Sequence, residues 1–219
     1  MSEQSAFWSK VADKYDRVVD LQIGGKTRSL VRERLAKEGR LGHVAEFGCG
    51  TGFYTQVLAE KADTLVATDM SPGMLEVARS RITAGNVQFQ QEDCQATSLS
   101  DAACDTAFIS LVIHFTEPRK TLLEMHRILK AGGTLIIVNL DLHALRGLDR
   151  SRCLVRILYH GLAGYRVKPP KHFAKNILTE KALRTLLNEC GFMVMDSETI
   201  RDTSRSSNIP VEYVRAVKA

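Results

Sequence analysis

No run of this 219-residue chain is long and apolar enough to cross a bilayer, which takes roughly 20 residues. The opening residues, Met1 to Ser5, are polar and lack the apolar core of a secretory signal, so a cytoplasmic location is expected. The five cysteines (Cys49, Cys94, Cys104, Cys153, Cys190) are odd in number, scattered, and form no C-x-x-C pair. That argues against a disulfide framework and a zinc centre, and no metal is expected. No internal repeat and no low-complexity tract is present. No G-K-[ST] follows any glycine-rich turn, which excludes a P-loop. What is there is ordinary for a single globular domain: 44% hydrophobic and 25% charged residues.

The chain is organised around Val44-Ala45-Glu46-Phe47-Gly48-Cys49-Gly50-Thr51-Gly52. This reads as a buried strand running into a turn poor in side chains that opens a helix. From there strands and helices alternate. Strands are expected at 44–47, 64–68, 87–90, 106–110 and 134–138, with helices at 52–61, 72–83 and from Thr116 to Lys130. Ser71-Pro72 supplies an N-cap and a first-turn proline for the second of these helices. Alternation of this kind argues for an open, mostly parallel sheet covered on both faces. Before it, residues 6–18 put Phe7, Val11, Tyr15 and Val18 on one helical face, and residues 27–38 form a charged helix. After it, Thr179 caps a helix through Cys190. Phe192 to Ile200 and Ile209 to Val217 supply two more strands, whose direct hairpin makes that edge antiparallel.

Ligands of such sheets sit beyond the carboxyl ends of the strands. Those ends carry Glu46, then Asp69-Met70, then Glu92-Asp93-Cys94, then Ser110 to His114. Acids at three of four ends disfavour phosphate and favour a ligand with vicinal hydroxyls, an exocyclic amine and a net cationic group. A nicotinamide dinucleotide also uses an acid like Asp69, about 20 residues past its glycines. The glycines separate the two: they fall as G-x-G-x-G, and Phe53 stands where the third dinucleotide glycine belongs.

Glu46 to Gly52, Thr68-Asp69-Met70-Ser71-Pro72-Gly73-Met74-Leu75, Glu92-Asp93-Cys94, Asp105 to His114 and Leu129 to Leu135 together resemble the ordered motifs of class I S-adenosylmethionine-dependent methyltransferases. Val11 to Asp16 is similar to the opening of the small-molecule branch, which includes the quinone-biosynthesis enzymes. The resemblance implies a Rossmann-like open sheet of seven strands, helices on both faces, an antiparallel last strand, and S-adenosyl-L-methionine as cofactor. It also implies roles. Gly48, Gly50 and Gly52 let the main chain approach the ligand, and Glu46 serves its amino group. Asp69 serves the ribose hydroxyls, Met70 packs on the adenine face, and Met74 is a further cofactor-binding residue. Asp93 and Cys94 meet the adenine edge, and Ser110 and Leu111 line the methionyl side. Tyr15 either closes over the cofactor or packs in the cap. Competing expectations are a cofactor-binding scaffold without turnover and an NAD-dependent oxidoreductase.

One unit is expected over 1–219: a helical cap (1–40), a cofactor core (41–139), a basic lid-like insert (140–178) and a closing helix and strands (179–219). From His143 to Lys175 the insert is net +7, against +5 for the whole chain, so the remainder is net negative. Three readings of it stand open. It is a lid whose Arg152, Arg156 and Tyr159 meet a small anionic acceptor, or an amphipathic patch for peripheral contact with anionic membrane, or a solvated cationic cover. No nucleic-acid partner is expected, because the basicity is confined to this insert. His114, just past the fourth strand, is the candidate general base, with a packing role as its alternative.

Overall fold

The computed structural model describes residues 2–145, 147–159, 176–204, 206 and 208–219, leaving aside the side chains of residues 143, 157 and 158. Seven strands form one sheet: β1 (Gly42–Phe47), β2 (Ala62–Asp69), β3 (Val87–Gln91), β4 (Cys104–Ser110), β5 (Leu129–Leu140), β6 (Phe192–Ile200) and β7 (Val211–Lys218). Their order is β3-β2-β1-β4-β5-β7-β6. The first five are parallel, and β7 runs antiparallel to both β5 and β6. The expected antiparallel hairpin forms, with β7, the last strand in sequence, inside the sheet and β6 at its edge.

The parallel strands read as nearly continuous apolar runs because helices cover both faces. On one face α3 (Thr27–Ala36) and α4 (Thr55–Ala59) bury Val31, Leu35, Val57 and Leu58 against Val44, Leu65, Phe108 and Ile136. On the same face α5 (Pro72–Arg81) sets Leu75 against Ala67. On the other face α6 (Pro118–Ile128) and α8 (Glu180–Glu189) bury Leu122, Met125, Leu183 and Leu187 against Phe47, Ile109, Ile137 and Val214. Strand order reverses between β1 and β4, so the switch point falls beside the glycine turn.

Two of the expected caps form. Ser71 Oγ accepts from Met74 N at 3.2 Å, and Thr179 Oγ1 accepts from Ala182 N at 3.1 Å. Thr116 does not cap α6; Glu117 holds that position. The Thr116 hydroxyl instead donates to Ile113 O at 2.9 Å, closing a 3-10 turn over Ile113–Phe115.

The single helix expected over 6–18 is two helices, α1 (Glu3–Val11) and α2 (Tyr15–Ile23). They dock on different partners, which one straight rod could not reach. In α1, Phe7, Trp8 and Val11 pack on Met74 of α5, while Val19 and Ile23 of α2 join the core of the sheet. Helix α1 lies so close to the start of α5 that a Cβ on Gly73 would come within 2.9 Å of the Ser9 backbone. There Ser5 Oγ donates to Met70 O (2.8 Å), and the Ser9 and Ser71 hydroxyls are 2.8 Å apart.

At the head of α2, Asp16 ties the cap to the glycine turn. Its carboxylate accepts from Arg28 Nη2 at 2.6 Å, Arg81 Nη1 at 2.5 Å and Thr51 Oγ1 at 2.9 Å. Arg28 is itself buried and stacks on the Phe53 ring, 3.8 Å from its centroid. Burial works to raise the Asp16 pKa, but the two arginines and the Thr51 hydroxyl outweigh it and hold the carboxyl below its usual range. Replacing Asp16 by Asn is expected to lower the unfolding free energy by about 2 kcal/mol, because it leaves the buried Arg28 with only its longer, 3.4 Å contact to Asp20. A depressed pKa stabilises the fold above the unfolded value of 3.8 and loses that contribution as pH falls through the lower folded value. Urea titrations across acid pH would show a steeper acid limb in the parent than in the variant, where Asp105, Glu124 and Asp202 still contribute.

Candidate functional site

A cavity of about 640 Å³, counting space open to solvent, lies at the carboxyl ends of β1, β2 and β4. Gly48 and Gly50 form its floor, at φ +64 and +55. Substitution at Gly48 is blocked twice, by that backbone conformation and by Val112, whose Cγ2 would lie 2.4 Å from an added Cβ. Asp69, Met70, Met74, Glu92, Asp93, Cys94 and Gln95 make one wall. Leu111, Val112, Phe115 and Thr116 make another, and Gln4, Trp8 and Tyr15 of the cap cover it. Among the described residues three carboxylates line this space and no lysine or arginine does.

Asp69 is its electrostatic centre. The carboxylate Oδ2 accepts from Gly50 N at 2.9 Å and Oδ1 from Ser71 N at 2.8 Å, so the glycine turn and the start of α5 grip it together. Burial outweighs these two bonds and pushes its pKa up to about 6. A carboxylate has lone pairs beyond the two used here and so can take further donors from the cavity side. Asp93 stays exposed and forms a local turn with Gln95 N at 3.0 Å. The Cys94 thiol is pushed up to about 12, chiefly by burial, and is neutral.

Nine of the twelve residues expected at the cofactor line this cavity: Tyr15, Gly48, Gly50, Asp69, Met70, Met74, Asp93, Cys94 and Leu111. Glu46, Gly52 and Ser110 do not. Glu46 sits beneath the turn, accepts from Thr55 Oγ1 at 2.7 Å, and has its pKa raised to about 8, mainly by burial. Gly52 packs behind the turn on Ala78 of α5. Ser110 closes β4, buried, and its Oγ finds no hydrogen-bond partner among the described residues. Leu111 beside it holds φ +57, a left-handed conformation that costs a side-chain-bearing residue ~1–3 kcal/mol and marks a constrained site.

Trp8, Gln4, Val112, Phe115 and Thr116 were not foreseen in this wall. The helical stripe drawn through Phe7, Val11 and Tyr15 passes one residue beside Trp8, and nothing local in the sequence folds α1 over the strand ends. Asp16, Thr51, Arg28 and Arg81 escaped for the same reason: the clamp joins residues up to 65 positions apart.

His114 is buried, 3% exposed, and its Nδ1 has no hydrogen-bond partner among the described residues. Burial drives its pKa down to about 3, so the ring is neutral near pH 7. Arg152 and Tyr159 are exposed on α7 (Gly147–Tyr159), and Arg156 donates to Asn208 Oδ1 at 3.0 Å. The rest of the basic insert's expected contacts, those of Arg146 and of residues 160–175, lie outside the described residues. Among the described residues no cluster of His, Cys, Asp and Glu could hold a metal, and no helix is long and apolar enough to cross a membrane.

An acid-lined cavity at the switch point of a Rossmann-like sheet suits a ligand that brings hydrogen-bond donors and positive charge. Comparison with known proteins gives the family. Residues 45–137 match the model of the methyltransferase domain. The chain is 34% identical over 149 residues to a malonyl-[acyl-carrier protein] O-methyltransferase of Serratia marcescens, covering 66% of this chain and 54% of that protein. It is 33% identical over 138 residues to a demethylmenaquinone methyltransferase of Renibacterium salmoninarum, covering 62% and 57% respectively. The chain thus spans little more than half the length of these relatives. A crystal structure of an S-adenosylmethionine-dependent methyltransferase from Mesorhizobium loti superposes with a TM-score of 0.66 at 20% identity, covering 89% of this chain and 99% of that one. Residues 45–137 thus carry a methyltransferase domain on the fold of the S-adenosylmethionine-dependent methyltransferases, and S-adenosyl-L-methionine is the cofactor this similarity implies.

The residues present fit that group. The cavity offers a carboxylate for a diol, acids for a cation, and a floor that side chains could not share. Affinity for S-adenosylhomocysteine is expected to fall as pH drops through about 6, where Asp69 takes a proton and loses acceptor capacity. Calorimetric titration over that range checks it, and in Asp69→Asn the dependence should flatten.

Proposed function

We propose that the chain transfers a methyl group from S-adenosyl-L-methionine to a small molecule, with residues 1–219 acting as one unit. The observation that carries this reading is the cavity around Asp69, lined among the described residues by three acids and no cation. In it Asp69 accepts from the ribose hydroxyls, and Met70 and Met74 flank the adenine face. Asp93 accepts from the adenine amine while the Cys94 backbone N–H meets the ring. Gly48, Gly50 and Gly52 let the main chain pass along the ligand. Ser110 and Leu111 border its methionyl end, Glu46 serves its amino group through the turn above it, and Tyr15 closes over the top.

When bound, the sulfonium supplies an activated methyl carbon: its bond to sulfur breaks as the acceptor's lone pair attacks in line, and the electron pair returns to sulfur. The protein's part is alignment and exclusion of water. Holding the partners in line contributes up to ~7–11 kcal/mol in favourable systems. The cap does this by locking α1 and α2 over the strand ends through Ser5, Ser9 and Asp16. A proton on the acceptor leaves to water, since an imidazole with a pKa of about 3 does not retain it. We therefore read His114 as a contact and not as a base. Arg152 and Tyr159 are left to the outer surface of α7 in this reading, and Arg156 to its bond with Asn208.

Mass spectrometry of metabolites retained by the gently purified protein is expected to find S-adenosylmethionine or S-adenosylhomocysteine. Asp69→Ala should weaken binding of either at least about 100-fold. Unchanged affinity in that variant sinks the assignment of Asp69. Tight binding with no transfer to a broad panel of carboxylates, phenols, thiols and amines would make the protein a cofactor-binding scaffold instead.

A further inference from the structure

A second cleft, of about 400 Å³ and partly open to solvent, adjoins the cofactor cavity. The two share Trp8, Tyr15, Leu111 and Phe115 as walls. The remainder of the second cleft comes from Val19, Gln22 and Ile23 of α2, with His114 and Leu140. We propose that this cleft receives the methyl acceptor, and that the acceptor is an uncharged, flat, largely apolar molecule whose hydroxyl or carbonyl oxygen meets His114. The proposal rests on the methyltransferase reading and names the substrate class for it.

Position is the first argument. A methyl acceptor must reach the methionyl end of the cofactor, and Leu111, the left-handed residue after β4, borders both spaces. Charge is the second. Among the described residues no ionised side chain lines the cleft: Tyr15 has its phenol pushed up to about 12 by burial and is neutral, and Gln22 is an amide. An anionic acceptor would shed its water here and find no cation, which is costly. The described arginines of the insert do not compensate, since none lines the cleft and Arg156 is engaged with Asn208.

His114 is the third argument. A buried polar atom is normally paired, and an unpaired one invites a partner. The His114 Nδ1 is such an atom, on a ring that lines the cleft. A neutral imidazole offers one N–H donor and one bare nitrogen, so it can meet either a carbonyl or a hydroxyl. The surrounding rings favour a flat ligand. Trp8 packs edge-to-face with Phe115 (5.1 Å between centroids) and Tyr15 (5.7 Å), and Phe115 leans on His114 at 4.0 Å. Aromatic walls of this kind accept a further ring at little entropic cost.

Trp8 is the chain's one tryptophan, so its fluorescence reports binding directly. The probes are 4-propylphenol, 4-propylbenzoate and propylbenzene, titrated at neutral pH into the full chain saturated with S-adenosylhomocysteine. The phenol is expected to quench Trp8 and to bind at least about tenfold tighter than the benzoate. His114→Phe should weaken the phenol about tenfold and leave propylbenzene unchanged. Gln22→Leu, at the half-buried mouth, should tighten propylbenzene about threefold, and it serves if His114→Phe folds poorly. A benzoate that outbinds the phenol, a phenol indifferent to His114→Phe, or propylbenzene indifferent to Gln22→Leu overturns the proposal. Calorimetry with S-adenosylhomocysteine alone separates the two levels. If that binding is absent, the methyltransferase reading fails; if it is intact while the probes misbehave, only the acceptor assignment fails.

Discussion

The carboxylate of Asp16 is the joint on which the site depends. Two arginines and a threonine converge on it from three separate elements: α3, the end of α5, and the glycine turn itself. A turn poor in side chains has little of its own to hold its shape. Here its shape is imposed from outside, by Thr51 anchored to Asp16, Gly50 N anchored to Asp69, and Phe53 pinned under Arg28. The same joint fixes the cap, so floor and roof of the cavity are set relative to each other by one side chain.

The cavity is also charged against its own interest. Asp69 in its wall and Glu46 beneath the turn are buried near one another, no lysine or arginine among the described residues lines the cavity, and both carboxyls are raised in pKa by burial. Such an arrangement costs stability in the empty fold and is relieved by a ligand that brings donors and positive charge. Selectivity follows from the same fact, because an anionic nucleotide would add repulsion where a sulfonium removes it.

The alternating core was legible because its signals are local and periodic. Apolar runs at 64–68 and 106–110, the Ser71-Pro72 start and the Thr179 cap each announce themselves within a few residues, and all appear in the fold. The acids at the strand ends were legible for the same reason: strand direction alone places them. What escaped was decided by tertiary contact. The break at 12–14 exists because α1 and α2 serve different partners. Thr116 lost its capping role to a 3-10 turn that its own hydroxyl closes. His114 looked like a titrating group in sequence, and only burial shows that it is neutral. The charge of the insert drew attention to arginines, while the cleft beside the cofactor cavity is built from α1, α2 and the turn after β4.

The placement of β7 bears on how the molecule comes together. Strand β6 has no neighbour except β7, and β5 meets nothing else on that side. Until Val211–Lys218 inserts, the sheet is a five-stranded piece with one raw edge, and Phe192–Ile200 is a strand without a sheet. Tyr213 goes in with it, fully buried, its hydroxyl donating to Glu38 at 2.9 Å just beyond the end of α3. The last strand in sequence is therefore a keystone: its arrival joins the chain's tail to the region that carries the cap, and closes the sheet in one step.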